Sequence, residues 1–256
     1  MVNCEIVFHI FIFKKRGNKN GEQMVWYTEL GLKKNPLLLN PLEDSFHIEG
    51  RSDELQELLY RIESGSMLLI EGKQGCGKTT LLKAAIEEYR GRGRVAYIDA
   101  QQVEDLNITE IISDRPQNMI LLLDNVNFLS KKNNERIRYY YDEDMIQAVV
   151  FTTSNKDQIQ FSQALQTRLS NNIVQLEDLS LKDSVTIVYD LLRVVDLQIT
   201  HSQVKYICTQ LQTIKHILMC CDVLCEQLVE NEKEKADSAD VEKAIQTVTA
   251  SLGETQ

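Results

Sequence analysis

Short apolar runs separated by segments of helical periodicity dominate the middle of the chain. Runs of this length, bounded by glycine or polar residues, are typical of strands buried on both faces of a parallel sheet. The segments between them, such as residues 81–89 and 133–146, place apolar side chains at helical spacing. This alternation predicts an α/β fold with a mostly parallel five-stranded sheet flanked by helices. The five runs cover residues 67–70, 95–98, 119–123, 149–152 and 173–176.

The pattern changes near residue 178. From residue 181 onward the sequence has no strand-like run, and four segments with helical spacing follow. They cover residues 181–195, 202–211, 213–230 and 239–250. We therefore expect an α/β domain over residues 24–178 and a small all-helical domain over residues 179–256.

Residues 1–23 fit neither pattern and are treated as an N-terminal extension. Their apolar stretch, residues 6–13, is far shorter than the roughly 20 residues that cross a bilayer, and its lysines follow it rather than precede it as in a signal peptide. No membrane anchor is therefore predicted. The dipeptide Gly21-Glu22 could be encoded by a purine-rich GGAGA, which resembles a ribosome-binding site. We hypothesise that translation starts at Met24.

Composition narrows the function classes. The 256 residues are 43% hydrophobic, which is enough for a sizeable core, and the formal net charge of -10 disfavours a broad nucleic-acid footprint unless positive charge is gathered locally. The six cysteines form no CxxC pair, which predicts reduced thiols packed in a cytoplasmic protein. A zinc site is the less favoured alternative, because structural zinc ligands usually come in tighter pairs. Its ligands would be Cys208, Cys220, Cys221 and Cys225.

The strongest chemical signal lies between the first apolar run and the next helix. Residues 72–79, GKQGCGKT, match the P-loop pattern GxxxxGK[ST] in its strand-to-helix context. Glycines let backbone N–H groups surround a polyphosphate, Lys78 is expected to reach the β- and γ-phosphates, and Thr79 to coordinate Mg²⁺. The pattern predicts binding of ATP with Mg²⁺. The nucleotide-binding residues are Gly72, Lys73, Gln74, Gly75, Cys76, Gly77, Lys78, Thr79 and Thr80.

A second acidic partner for the metal follows the third apolar run. Asp124 directly follows residues 119–123, at the end of the predicted strand that should lie next to the P-loop. Such a run with a terminal carboxylate is a weak signal alone and a stronger one downstream of a P-loop. Thr79 and Asp124 are therefore the predicted metal ligands.

The order of these motifs resembles that of AAA+ P-loop ATPases over nearly the whole chain from Trp26 onward. Residues 48–55, IEGRSDEL, resemble the element that precedes the P-loop in initiator-type members of the origin-recognition class. Residues 26–36, WYTELGLKKNP, resemble the entry segment of small ATPases related to ExeA and MuB. The resemblance implies that the helical domain is an AAA+ lid. It leaves open whether Trp26 and Tyr27 touch adenine or pack in the core.

The same resemblance implies further site residues. Asn155 would be the sensor 1 residue that orients the attacking water, with Thr153 as the second choice. Arg168 would be an arginine finger that reaches nucleotide on a neighbouring subunit, which implies a homo-oligomer or an AAA+ partner subunit. Lys215 would act as sensor 2 in place of the common arginine. For Arg168 and Lys215, a solvated charge on a helix surface is the alternative.

Residue 125 departs from the family pattern. Hydrolytically active members usually follow the aspartate at position 124 with glutamate, and here Asn125 stands in its place. Asparagine can hold a water but cannot accept its proton, and general-base assistance is typically worth about 10²- to 10⁴-fold. The sequence therefore predicts slow ATP hydrolysis or a substitute carboxylate, for which Asp99 is a candidate. The predicted catalytic residues are Lys78, Asp124, Asn125, Asn155, Arg168 and Lys215.

Two functions remain after these inferences. In the first, the protein is an ATPase or ATP-dependent switch in a DNA-related process such as replication initiation, transposition or plasmid maintenance. Residues 131–141, KKNNERIRYYY, interleave basic and aromatic side chains that would contact DNA, although a solvated helix with tyrosines against the sheet explains them equally well. In the second, the protein is a weakly hydrolysing ATP-bound adaptor that recruits a partner protein without DNA. A small-molecule kinase fits the four-helix tail poorly.

Overall fold

The computed structural model describes residues 25–38, 50–102, 111 and 118–253. The hypothesised extension, residues 1–23, the proposed start at Met24 and the first two residues of the 48–55 element lie outside them. The described residues pack into two compact units. The α/β unit comprises the described residues from 50 to 177, and the helical unit comprises residues 25–38 and 178–253.

A five-stranded sheet in the order β2-β3-β4-β1-β5 forms the centre of the α/β unit, and all four strand pairs are parallel. The predicted fold class is confirmed. β3 is buried at every position, as expected for a strand covered on both faces. The strands are β1 (Met67–Glu71), β2 (Arg94–Asp99), β3 (Met119–Asp124), β4 (Ile146–Thr153) and β5 (Ile173–Gln175).

Strand alternation divides the side chains of the sheet between two layers. Met67 and Leu69 of β1 pack in the same cluster as Leu121, Leu123 and other alternate residues of β2, β3 and β4. The residues between them point to the other face, because successive side chains of a strand alternate. The α-helices that the structure describes from end to end in this unit are α2 (Ser52–Glu63), α3 (Lys78–Glu88), α4 (Lys131–Asp142) and α5 (Gln163–Leu169).

The helical unit is built around a single apolar core. Four helices surround buried leucine, isoleucine, valine and cysteine side chains. Thr200 opens the second of them with a capping box, which satisfies two free N–H groups at that helix end. These helices are α6 (Leu181–Leu192), α7 (His201–Gln210), α8 (Ile214–Glu230) and α9 (Ser238–Gly253).

Residues 25–38 belong to this helical unit, whereas the sequence pattern places them at the start of the α/β domain. The short helix α1 (Trp26–Glu29) buries Trp26, and the indole Nε1 donates a hydrogen bond of 2.7 Å to Oδ1 of Asp222 in α8. Asn35 donates from Nδ2 to the same oxygen, also at 2.7 Å. Of the two open roles for Trp26, core packing is the one that these contacts support.

Several boundaries differ from those that local sequence preference favours. Serine is a preferred helix cap, but α2 begins at Ser52 and its cap is Arg51, whose side chain makes no cap hydrogen bond. The periodic segment 133–146 overruns the helix, since α4 ends at Asp142 and Ile146 already opens β4. Within the described part of the chain, no helix combines the length and apolarity that a bilayer crossing requires.

Candidate functional site

The P-loop bends sharply between β1 and α3. Gly75 and Gly77 have φ of 84° and 104°, in the left-handed region that glycine adopts without strain. Gly72 is needed for space instead, because an added Cβ would lie 2.4 Å from the carbonyl oxygen of Leu176 and 2.8 Å from Sγ of Cys76. Cys76 is buried against this turn, where its small side chain fills space.

Lys78 folds back over the loop. Its Nζ donates to the carbonyl oxygens of Gly72 at 2.7 Å and Lys73 at 2.8 Å, and the residue is 8% exposed. Burial lowers the pKa of Lys78, while Cys76 and Asp124 oppose that shift. The ammonium group is therefore held at the mouth of the loop by acceptors that a phosphate oxygen can replace.

Asp124 accepts hydrogen bonds from several polar groups of the site. Its Oδ2 accepts a hydrogen bond of 2.5 Å from the Thr79 hydroxyl, so the two predicted metal ligands are in contact. Its Oδ1 accepts from the Thr152 hydroxyl and, at 3.1 Å, from the N–H of Asn125. The residue is 1% exposed, and these hydrogen bonds satisfy its buried carboxylate.

Tyr97 and Thr152 belong to this network although no sequence motif points to either residue. The Tyr97 hydroxyl donates to Oδ2 of Asp124 at 3.1 Å. Burial and then the neighbouring Asp124 and Asp99 carboxylates raise the pKa of Tyr97 well above its usual range, which keeps the phenol protonated as a donor. Both residues reach Asp124 through strand register, which a single sequence does not reveal.

Asn125 contacts the candidate substitute carboxylate. It has φ of 56° and ψ of 46°, a left-handed conformation that asparagine tolerates better than most residues. Its Nδ2 donates to Oδ1 of Asp99 at 2.8 Å. Asp99 and Asp124 are register partners on neighbouring parallel strands, so the three polar side chains lie together at the carboxyl edge of the sheet.

The predicted sensor 1 residues lie at the end of β4, where Thr153 is the last residue of the strand and Asn155 follows it. Asn155 is exposed, and its Oδ1 accepts from the N–H of Asp157 at 2.9 Å, so it caps the short turn that follows. The Thr153 hydroxyl donates to the carbonyl oxygen of Asn155 at 3.0 Å and therefore fixes the loop. Glu71 holds the same loop from β1, because its Oε1 accepts from the N–H of Lys156 at 2.9 Å.

Arg168 lies at the amino edge of the sheet, where the parallel strands begin, whereas the P-loop follows the carboxyl end of β1. It lines a cavity of about 530 Å³ together with Gly65 and Gln147, which lie near the amino ends of β1 and β4. Its Nη2 forms an ion pair of 2.8 Å with Oδ1 of Asp142, and its side chain is 46% exposed. A five-residue strand spans roughly 16 Å, so Arg168 is too far from its own P-loop to serve it.

Lys215 lies in the first turn of α8 in the helical unit and is exposed. Burial and then the Lys215 charge lower the pKa of the neighbouring His216. The sensor 2 role of Lys215 stays a prediction.

Helix α4 contains the basic and aromatic stretch of residues 131–141 and has one buried face and one exposed face. Ile137 and Asn134 are buried, and the Tyr141 hydroxyl donates to the carbonyl oxygen of Gly65 at 2.6 Å. The other face presents Lys132, Arg136 and Tyr139, which the helical spacing of four and three residues aligns. Tyr139 is 54% exposed, so the expectation that the tyrosines are tucked against the sheet does not hold for it.

Arg51 is a buried residue to which the sequence motifs assign no role. It is 5% exposed, and its Nη2 donates to the carbonyl oxygen of Cys76 at 3.1 Å and to that of Glu177. Its Nη1 pairs with Oε1 of Glu54 at 2.8 Å. The guanidinium therefore ties the P-loop to the segment that follows β5.

The cysteines of the helical unit pack in its core. Burial raises the pKa of Cys208 to about 11 and that of Cys225 to about 12, so both thiols stay protonated. Among the described residues, no three His, Cys, Asp or Glu side chains cluster as a metal site would require. The free cysteines of this unit are Cys208, Cys220, Cys221 and Cys225.

The residues at the P-loop fit a magnesium nucleotide. Mg²⁺ prefers hard oxygen ligands and is usually held by one or two protein groups plus substrate phosphates, which matches the Thr79 hydroxyl beside the Asp124 carboxylate. The loop backbone and the start of α3 supply N–H groups for phosphate oxygens. When bound, the metal would neutralise developing charge on the phosphates.

Comparisons with known proteins find a family model, a curated relative and solved structures that resemble this chain. Residues 64–184 match the family model described as AAA domain. A curated relative, the ABC transporter ATM1 of Plasmodium falciparum, is 31% identical over 98 residues, which are 37% of this chain. The chain spans only 9% of that relative's length.

Three solved structures show similar folds. The Aeropyrum pernix ORC1 protein, in complex with DNA, has a TM-score of 0.69 at 14% identity, over 83% of this chain and 68% of that one. Domain III of the Thermotoga maritima replication initiation protein DnaA has a TM-score of 0.65 at 18% identity, over 82% and 97%. A single-residue variant of Thermotoga maritima RuvB has a TM-score of 0.63 at 18% identity, over 83% and 73%. At these identities the likeness is one of fold.

Proposed function

Because residues 64–184 match the AAA domain family model and the α/β unit has the AAA+ P-loop fold, we propose that this protein is a Mg²⁺-dependent, slowly hydrolysing ATPase that serves as a molecular switch in a DNA-related process. The observation that carries the proposal is the contact between Thr79 and Asp124 beside the folded-back Lys78. The closeness of these three groups supports binding of ATP with Mg²⁺, because phosphate oxygens would only have to replace the carbonyl acceptors of Lys78.

Slow turnover rests on the residue that follows Asp124. Asn125 offers an amide where active relatives are expected to offer a carboxylate, and its Nδ2 already donates to Asp99. A protein that binds ATP tightly and hydrolyses it slowly has a long-lived bound state. A ligand of that kind shifts the conformational equilibrium of its protein by its differential affinity.

The DNA-related role rests on one face of α4. Lys132, Arg136 and Tyr139 combine positive charge with an exposed ring on an otherwise acidic chain, and ORC1 of similar fold is described in complex with DNA. Arg138 is excluded from this surface because Glu135 and Asp142 neutralise it at 3.0 and 2.8 Å. The face is small, so we expect weak binding that depends strongly on salt.

Self-association is part of the proposal. Arg168 is exposed at the edge of the sheet opposite its own P-loop, where it would reach nucleotide bound by a neighbouring copy or by an AAA+ partner subunit. The reduced, buried thiols suit the cytoplasm.

The test combines ATP turnover with DNA affinity. We expect duplex or single-stranded DNA to raise steady-state phosphate release, and the double variant Lys132→Glu/Arg136→Glu to lose that stimulation. Its affinity for a fluorescent DNA should fall, and the salt slope should decrease by about 2. Lys205→Glu/Lys243→Glu, which reverses two exposed charges of the helical unit, is the matched control and should leave both quantities unchanged.

A second candidate is favoured by the same asparagine and by the net charge of -10. In that case the protein is an ATP-bound adaptor that recruits a partner protein without DNA. Tight Mg²⁺-dependent ATP binding, with no DNA effect on turnover and no salt-dependent DNA affinity, would support the adaptor and exclude the DNA-related role.

A further inference from the structure

Given the ATPase proposed above, on which this inference rests, we propose that Asp99 is the catalytic carboxylate of ATP hydrolysis and that Asn125 positions it. The two side chains are joined by a hydrogen bond of 2.8 Å from Nδ2 of Asn125 to Oδ1 of Asp99. The carboxylate expected at position 125 is thus replaced by one at the end of the neighbouring strand.

The strand register places Asp99 on the correct face of the sheet. Asp99 pairs with Asp124 between β2 and β3, and register partners on neighbouring parallel strands point to the same side about 4.8 Å apart. Asp124 contacts Thr79 in the first turn of α3, so this side is the face of the P-loop helix. Tyr97, two residues before Asp99, reaches the same Asp124 carboxylate, as expected for the same side of β2.

The other carboxylate at this edge is directed elsewhere. Glu71 alternates with Met67 and Leu69, which pack on the layer opposite α3. Its oxygens accept from the N–H of Lys156 at 2.9 Å and from Nε2 of Gln175 at 2.7 Å. Glu71 therefore holds the loop after β4. Among the described strand ends, two carboxylates lie on the α3 side of the sheet, Asp99 and the predicted metal ligand Asp124.

Asp99 is accessible to water while being held in place. It is half-buried; its Oδ1 also accepts from the N–H of Gln101 at 3.1 Å, and its Oδ2 accepts from Nε2 of the exposed Gln102 at 2.8 Å. A carboxylate oxygen has two acceptor sites, so Oδ2 retains one for a water. The fixed orientation is what a general base needs.

The chemical step balances with groups of the site and solvent. A water molecule gives one proton to the Asp99 carboxylate as its oxygen bonds to the γ-phosphorus. The bond between that phosphorus and the β,γ-bridging oxygen breaks, its electron pair stays on ADP, and inorganic phosphate forms. Asp99 then returns its proton to solvent.

The proposal explains why residue 125 is an amide. A glutamate there would place a second carboxylate at hydrogen-bond distance from Asp99, and two like charges at that distance repel each other. Asparagine donates a hydrogen bond instead and leaves the Asp99 carboxylate as the acceptor of the water proton. Asn125 is therefore a positioning residue, and Asp99 is the catalytic one.

The decisive variant is Asp99→Asn, because it keeps an oxygen that can accept from Asn125 while it loses the charge and the ability to take a proton. We expect the already slow ATP turnover to fall further by about 10²-fold, the lower end of what a general base is worth, because Asp99 acts from the neighbouring strand rather than from position 125. The affinity for Mg²⁺ and a fluorescent ATP analogue should change less than about threefold, and the thermal melt should stay cooperative. Asp196→Asn, the same change at an exposed aspartate of the helical unit, is the control.

A rescue separates catalysis from structure. Asp99→Asn/Asn125→Glu supplies a carboxylate at the neighbouring position without the repelling Asp99, and we expect it to turn over at least about tenfold faster than Asp99→Asn. If Asp99→Asn does not melt cooperatively, Asp99→Glu replaces it. That variant keeps the charge, moves the oxygens and should lose at least about tenfold in turnover at unchanged ATP affinity.

The outcomes distinguish this inference from the function on which it rests. If the natural protein shows no Mg²⁺-dependent ATP affinity, the proposed function fails. If it binds ATP but Asp99→Asn keeps its hydrolysis rate, or if the double variant stays as slow as Asp99→Asn, only the role of Asp99 is overturned.

Discussion

The sheet has a carboxyl edge, where its parallel strands end, and an amino edge, where they begin. Two charged side chains of the candidate site are buried at the first edge, and one is exposed at the second. At the carboxyl edge, Lys78 and Asp124 are 8% and 1% exposed and are held by backbone carbonyls and hydroxyl groups of their own chain. At the amino edge, Arg168 is 46% exposed and is held by an ion pair with Asp142. The charges of the first edge are therefore buried and fixed by their own chain, whereas the charge of the second remains partly exposed.

This difference in burial predicts where the effects of mutations should be large. A buried polar group that loses its partners costs about 1 to 3 kcal/mol and more when it is charged, whereas an exposed ion pair contributes about 0 to 1 kcal/mol. Substitutions of the buried Lys78 and Asp124 should therefore alter both folding and nucleotide affinity. Substitutions at the amino edge should spare the fold and affect function only through contact with another subunit.

The largest effect is expected for Asp124→Asn. The substitution removes a negative charge from the predicted metal site and leaves one oxygen to replace two that accept from Thr79, Tyr97 and Thr152. We expect Mg²⁺-dependent ATP affinity to fall at least about 100-fold, since charge-assisted hydrogen bonds are worth about 1.5 to 3 kcal/mol each. Titration calorimetry with and without Mg²⁺ measures this. An affinity that stays within about threefold would remove Asp124 from the metal site.

Asp222→Ala tests whether the burial of polar groups sets the size of a mutational effect. Asp222 lies in the helical unit and not in the sheet. It leaves the Trp26 indole and the Asn35 amide without their common acceptor. We expect the free energy of unfolding of the helical unit to fall by about 2 to 3 kcal/mol. The chain has one tryptophan, so its fluorescence during urea unfolding reports on this unit. Asp196→Asn should leave the transition unchanged, and an equal midpoint for Asp222→Ala would contradict the burial argument.

Gly72→Ala should destabilise the P-loop turn by about 1 to 3 kcal/mol, the usual cost of overpacking. The added methyl group would meet the carbonyl oxygen of Leu176 at 2.4 Å, and that atom belongs to the backbone. Gly93→Ala is the control, because its new Cβ would lie 3.6 Å from the Tyr89 ring, an ordinary contact. Thermal melting of both variants decides the matter, and equal melting temperatures would show that the turn can relax.

The smallest effect on stability is expected for Arg168→Ala at the amino edge. An exposed ion pair of 2.8 Å should contribute less than about 1 kcal/mol to folding. In this variant, ATP turnover per subunit should nevertheless no longer increase with protein concentration, because Arg168 would act on nucleotide bound by a neighbouring copy. Arg193→Ala, which removes another exposed arginine with an ion pair of 3.7 Å, should keep that increase. A concentration-independent rate in the natural protein would contradict a role for Arg168 between subunits.

The sequence predicts what depends on local spacing and misses what depends on register. The P-loop, the five strands and the four helices after residue 180 follow from spacing that a single segment carries. The contact between Asp99 and Asn125 requires β2 and β3 to pair at one register. Likewise, Trp26 finds its partner Asp222 196 residues later, so no local pattern could assign residues 25–38 to the helical unit.

Ambiguous local patterns explain the shifted boundaries. The end of α4 and the start of β4 are hard to separate because Ile146 fits the helical pattern as well as the start of a strand. Serine is favoured as a helix cap, but at the start of α2 the buried Arg51 takes that position, from which its guanidinium reaches Cys76. In both places tertiary contacts outweigh local preference.

Nucleotide binding by the P-loop is best tested by calorimetric titration of the natural protein and Lys78→Ala with ATP, in the presence and absence of Mg²⁺. The account predicts saturable ATP binding that Mg²⁺ strengthens, and a loss of about 10- to 150-fold in affinity when the buried ammonium group is removed. Lys205→Ala, at an exposed lysine of α7, should bind like the natural protein. Equal affinities for the natural protein and Lys78→Ala, or no Mg²⁺-dependent binding at all, would contradict the claim that this loop holds a nucleotide.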